Sequence, residues 1–208
     1  MLDAAGFDLW AGEYDSSIDS ADQTYPFAGY YQVLAYVQSR IPCGTKPDVL
    51  DLGVGTGLLT AELYKKGCQV FAVDFSKKML AEAEEKMPQA VFFRYDLNCG
   101  IPAELRKMEF DFIVSSYALH HLPIKKQLTL VLALQANNLK KEGRLLMGDV
   151  AFRSRKDWRL CRKDAGEFWD AKEHYLILEE VGPLLKEAGL SFSYKQISHC
   201  AGVLEVNS

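Results

Sequence analysis

Asp51, Gly53, Gly55 and Gly57, in the stretch Val49-Leu-Asp-Leu-Gly-Val-Gly-Thr-Gly57, are the residues of this chain best suited by type and spacing to hold a ligand. An apolar run ends in an acid, and three glycines follow at alternate positions with Val54 and Thr56 between them. Glycine leaves the backbone bare and free to turn, so main-chain N–H groups can face a ligand without side-chain clash. A dinucleotide-binding turn has the form Gly-x-Gly-x-x-Gly, yet counted from Gly53 its last place is Leu58. Further acids close later apolar runs: Asp74, followed by Phe75, and Asp96, followed by Leu97. A carboxylate at such a strand end can accept charge-assisted hydrogen bonds from two neighbouring hydroxyls. A fourth run ends in Ser115-Ser-Tyr-Ala-Leu-His120-His121, and histidine titrates near neutral pH, as acid–base chemistry requires. Two adjacent histidines with no spaced partner do not make a metal site, and none is expected.

Strands and helices must alternate for these strand ends to meet. The apolar runs predict strands over Asp48–Leu52, Gln69–Val73, Ala90–Tyr95, Phe110–Ser115 and Arg144–Val150. Helical stretches lie between them: Leu58–Lys66 closed by Gly67, Lys77–Met87 entered through a Ser76 cap, and Ile124–Lys140 closed by a Lys141-Glu142-Gly143 turn. Asp51, Asp74 and Asp96 follow one another at intervals of about twenty residues, the length of a strand plus a crossover helix. Such alternation predicts a parallel sheet covered by helices on both faces. Beyond residue 150 a polar, aromatic-rich segment reaches Tyr175. A helix over Leu176–Ala188 and two strands, Ser191–Ile197 and Ala201–Val206, are expected after it. Pro26–Arg40 reads as the clearest helix of the N-terminal part.

The Asp-x-Gly-x-Gly-x-Gly pattern, with acids at the next two strand ends, resembles the class I S-adenosylmethionine (SAM) methyltransferases. The resemblance covers nearly the whole chain from about residue 48, and the chain looks most like the small bacterial YrrT-like members. The resemblance implies a Rossmann-like α/β fold: a seven-stranded, mostly parallel sheet of order 3-2-1-4-5-7-6 under an N-terminal helical cap. It implies one domain over residues 1–208, with a cap over 1–45, a SAM-binding core over 46–150 and a substrate-side segment and closing hairpin over 151–208. Gly53, Val54, Gly55, Thr56 and Gly57 would take the methionine part and ribose of SAM, with Asp51 positioning the loop or reaching the amino group. Asp74 would accept from the ribose hydroxyls, and Asp96 and the Leu97 backbone would meet the adenine, with Phe75 packed on its face. Backbone around Ser115 would border the cofactor. Tyr14, in a Trp10-Ala-Gly-Glu-Tyr14-Asp stretch like that of many small-molecule members, would lie over the methionine part as a lid, and His120 is the candidate base. The implied activity is methyl transfer to an O, N or S nucleophile of a small molecule. A SAM-binding sensor or partner subunit without turnover is the alternative.

Composition narrows the partners. A net charge of −4 argues against a general nucleic-acid binder. The Asn/Asp-Pro-Pro-Tyr/Phe motif of amino-methyltransferases has no counterpart at Ser115-Ser116-Tyr117-Ala118. Five cysteines are scattered without a Cys-x-x-Cys pair, so no zinc knuckle or disulfide framework is indicated. Neither a signal peptide nor a bilayer-spanning run is legible. A cytoplasmic monomer or homodimer without membrane or nucleic-acid partners is expected. The segment over 153–175, rich in arginine and aromatics, reads either as a solvated basic face or as a substrate wall.

Overall fold

A computed structural model of the chain describes residues 23–208. Tyr14 and Trp10 lie outside that range. In chain order the elements are α1 (Tyr30–Ser39), β1 (Asp48–Leu52), α2 (Thr60–Lys65), β2 (Gln69–Asp74), α3 (Lys77–Lys86), β3 (Val91–Arg94), β4 (Phe110–Ser116), α4 (Ile124–Asn137), β5 (Leu139–Phe152), α5 (Arg155–Ala165), β6 (Leu176–Ile177), α6 (Leu178–Glu187), β7 (Phe192–Gln196) and β8 (Ala201–Asn207). The sheet runs in the order β3-β2-β1-β4-β5-β8-β7. β1 to β5 are parallel, and β8 is antiparallel to both neighbours.

Neighbouring residues of the central strands enter opposite cores, as the two-residue period of a sheet buried on both faces requires. On one face Val49, Val114, Leu146 and Val203 pack with Val33, Val37 and Leu63 of α1 and α2. On the other, Leu50, Leu52, Ile113, Leu145 and Leu204 pack with Leu130, Val131 and Leu134 of α4 and with Val181 and Leu185 of α6. Full burial of each such side chain stabilises the fold by roughly 1.5–3 kcal/mol. α3 starts where expected, because the Ser76 hydroxyl accepts from the Met79 N–H at 3.2 Å.

Several boundaries differ from the sequence expectation: the first two helices start later, at Tyr30 and Thr60, and three further differences surround β5 and β6. β5 begins at Leu139, so the predicted 141–143 turn is absorbed as an irregular strand start in which Glu142 adopts a φ of 68°. α4 correspondingly ends at Asn137 rather than Lys140. Leu176 and Ile177, expected as the first residues of a helix, instead pair in parallel with Ala151 and Phe152. Both are buried, and apolar residues ending a long polar stretch satisfy a strand edge as well as a helix turn. The sheet therefore has eight strands instead of seven, while the closing hairpin occupies the two outer places foreseen for it.

β1 lies between β2 and β4, so the connections leaving β1 and β4 diverge and open a crevice at the carboxyl ends of the strands. Among the described residues, no helix is long and apolar enough to cross a membrane.

Candidate functional site

A cavity of about 430 Å³ occupies that crevice. Its floor is the turn after β1, where the Gly53 and Val54 N–H groups both donate to the Val73 carbonyl, at 2.8 and 3.1 Å. This ties the glycine turn to β2. Gly53 has a φ of 76°, and a Cβ there would stand 2.3 Å from the Ala118 Cβ, so the turn after β4 rests directly on bare backbone. Gly53→Ala is expected to cost about 2–3 kcal/mol through overpacking and left-handed strain, read as a lowered urea midpoint. Gly55, at a φ of 54°, has no atom within 4 Å of where a Cβ would stand, which leaves room for a ligand above the turn.

Asp74 forms the hinge of the site. One carboxylate oxygen accepts from the Gly55 N–H at 2.9 Å and the other from the Ser76 N–H at 2.9 Å, while the residue lines the cavity. Phe75 stands beside it, and Asp96 and Leu97 line the far end. Asp96 shapes its own turn by accepting from the Asn98 N–H at 2.8 Å. Gly53, Val54, Gly55, Thr56, Asp74, Phe75, Asp96 and Leu97 thus share one wall, as the order of strand ends predicts.

Three other candidates sit behind that wall. Asp51 is wholly buried below the turn, where one oxygen accepts from the Thr60 hydroxyl at 2.9 Å and the other has no hydrogen-bond partner among the described residues. Burial, relieved in part by Thr60 and reinforced by the nearby Asp74 charge, raises its pKa to about 7. Gly57 faces α3, where a Cβ would meet the Met87 Cε at 3.1 Å. The Ser115 hydroxyl donates to the Leu52 carbonyl at 2.8 Å, and its neighbour Ser116 takes the cavity position.

The histidine pair divides in a way its sequence does not reveal. His121 lines the cavity, whereas His120 turns away from it, with Nδ1 2.5 Å from Asp149 Oδ1. Burial opposes charge on His120, but Asp149 and then Glu173 and Asp170 outweigh it and hold the ring above its ordinary pKa. Burial and the adjoining His120 press His121 down to about 3. The imidazole facing the cavity is therefore a very weak base, and the more basic one is engaged behind the wall. Tyr30 of α1 stacks on Tyr117, with centroids 4.4 Å apart, and both line the cavity. Tyr117 holds a φ of 48°, a conformation non-glycine residues seldom adopt and one that clusters at functional sites. Tyr30 and Tyr117 are not among the residues the sequence singles out, although Tyr117 lies within the serine-to-histidine motif.

The aromatic residues of the segment after β5 do not line the cavity, although Glu173 near its end returns to the histidine pair. Trp169 stacks on Tyr25 at 4.9 Å and meets Trp158 and Tyr175 edge-on, over buried Phe152. Arg155 and Arg162 lie over the Trp158 ring, and Arg155 pairs with Glu180. The β7–β8 turn packs on the start of α1, where the Ser198 hydroxyl donates to the Ala28 carbonyl.

Residues 49–143 match the family model of a methyltransferase domain. An uncharacterized methyltransferase of Geobacillus kaustophilus is 32% identical over 96% of this chain and 94% of its own length. Among solved structures, a DhpI–SAM–HEP complex superposes with a TM-score of 0.71 at 20% identity, covering 97% of this chain and 94% of the other. Magnesium protoporphyrin IX methyltransferase of Synechocystis, with bound SAH, gives 0.63 at 20% identity over 100% of this chain and 88% of the other.

Proposed function

This chain belongs to the methyltransferase family, and on that premise we propose that it transfers the methyl group of SAM to an oxygen, nitrogen or sulfur of a small molecule. The observation that carries the reading is the buried Asp74 carboxylate, which joins the glycine turn of β1 to the end of β2 in the cavity wall. The residues present fit SAM. Open space above Gly55 admits the methionine part, and the Thr60 hydroxyl, donating to the Asp51 carboxyl below, ties together the two ends of the turn that would hold it. In this proposal the Gly53–Thr56 backbone holds the methionine part, Asp74 the ribose hydroxyls, and Asp96, Leu97 and Phe75 the adenine.

Bound SAM supplies a methyl carbon on an already activated sulfonium. The chain has to align a nucleophile with that carbon and exclude water. The Tyr30–Tyr117 stack and His121 form the wall where an acceptor would lie, and they suit a compact, partly apolar molecule. Magnesium protoporphyrin IX methyltransferase, of the same fold, is named for a small-molecule acceptor, which supports this class. A cytoplasmic monomer or homodimer without nucleic-acid or membrane partners completes the proposal, in keeping with the net charge of −4 and the free thiols of Cys68, Cys99, Cys161 and Cys200.

Calorimetric titration with SAM and with its demethylated product SAH should show one site per chain. A folded chain that binds neither would overturn the reading. Binding without label transfer from methyl-labelled SAM across a panel of hydroxy, amino and thiol acceptors would favour the sensor alternative.

A further inference from the structure

We propose that His120, His121 and Glu173 form a site for one divalent first-row metal ion beside the cavity wall, where His121 joins the site to the cavity and the ion would bind an oxygen of the methyl acceptor. The binding site stands on its own geometry, and its role in acceptor binding rests on the function proposed above.

The turn over Leu119–His121 presents two imidazoles whose ring centroids are 4.1 Å apart. Glu173 is brought to them from far downstream by backbone pairing, the His174 N–H donating to the His120 carbonyl at 2.8 Å. The buried Gln127 amide then clamps both loops, donating to the Leu122 carbonyl at 2.8 Å and the His174 carbonyl at 2.7 Å. As a result Glu173 Oε1 stands 3.5 Å from His120 Nε2 and 3.7 Å from His121 Nδ1. Those separations exceed good hydrogen bonds, which run about 2.7–3.2 Å. They match the edges of a coordination shell with bonds of about 2.0–2.2 Å. One ligand atom from each of the three residues lies within 4.8 Å of the others.

The surrounding contacts are those a metal site needs. A ligating histidine commonly gives its second ring nitrogen to a carboxylate, which orients the ring and strengthens the ligand. His120 does so with Asp149. Glu173 is oriented in the same way, its Oε2 accepting from the Tyr175 hydroxyl at 2.7 Å. Two imidazoles and one carboxylate suit zinc, manganese or iron(II) rather than calcium or magnesium. His121, Ala118 and Leu122 border the cavity, so an ion held here would reach its wall. An acceptor hydroxyl bound to it would release its proton to solvent nearer neutral pH than in water.

Cobalt(II) is the probe. The full chain, stripped with chelator, is titrated with Co²⁺ while visible absorption and calorimetry are recorded, and SAH affinity is measured on the same preparation. One ion per chain with a nitrogen/oxygen spectrum is expected, its affinity falling 10–100-fold in Glu173→Gln and in Asp149→Asn with SAH binding intact. His121→Ala is the second ligand variant should Glu173→Gln not fold. SAH binding without cobalt binding would overturn the metal site and leave the methyltransferase reading standing; cobalt binding without SAH binding would do the reverse. A thiolate charge-transfer band abolished by Cys200→Ser would assign the ion to the Cys161–His199–Cys200 cluster and also overturn the proposal.

Discussion

Asp74→Ala should weaken SAM and SAH binding by roughly a hundredfold or more, the largest effect expected of any single change in the cavity wall. The carboxylate already accepts from two backbone N–H groups, of Gly55 and Ser76, and in the proposed complex it also takes the ribose hydroxyls. Hydrogen bonds to a charged group contribute about 1.5–3 kcal/mol each, and about 3 kcal/mol corresponds to roughly a hundredfold in affinity. Alanine both removes the ribose contact and releases the glycine turn, so the loss should exceed that of a contact residue alone. Asp74→Asn separates the two parts, because it keeps an acceptor oxygen but also introduces an NH₂ where a second acceptor is required. Calorimetry on the folded variants is the check. An unchanged dissociation constant in Asp74→Ala would show that the end of β2 does not hold the cofactor.

Asp51 should make the ligand-free protein less stable as pH rises from about 4 to about 7. Its folded pKa, near 7, lies well above the ordinary carboxylate value near 4. The folded chain therefore holds a proton through that window which the unfolded chain has lost, and unfolding free energy falls with each unit of pH. The contribution is complete below the unfolded pKa, declines across the window, and is gone above the folded value. Three units correspond to about 4 kcal/mol on the order-of-magnitude scale of 1.36 kcal/mol per unit. Asp51→Asn should flatten the profile, since the buried amide carries no charge to desolvate. Urea unfolding of both proteins at pH 5 and pH 8 measures this directly. Equal slopes would mean that Asp51 ionises without penalty.

These two residues show what kind of information a linear chain carries. Asp74 and Asp96 were legible because each ends an apolar run, and consecutive parallel strands with right-handed crossovers bring such ends to one edge. The glycine turn was legible because conformations of positive φ are written locally into residue type. Of the two roles open to Asp51, positioning the loop or reaching a ligand amino group, its bond with Thr60 supports the first, and Gly57 faces Met87 of the following helix. The sequence marks the turn but not which side of it is covered. Ser115 shows the same one-residue ambiguity, since alternation at the end of β4 decides whether it or Ser116 faces the cavity.

The cavity wall built from the glycine turn and the ends of β2 and β3 follows from amino-acid order, because strand ends and glycine turns are local features repeated along a regular fold. The part around Tyr30, Tyr117 and the histidine pair does not. His120 and His121 are neighbours in the chain, but the Asp149 carboxylate draws the first behind the wall and leaves the second in it. Tyr30 reaches Tyr117, and Glu173 reaches both histidines, through contacts between segments far apart in the chain. Such meetings depend on how α1 and the loop before β6 pack against the sheet, and no short-range pattern encodes that.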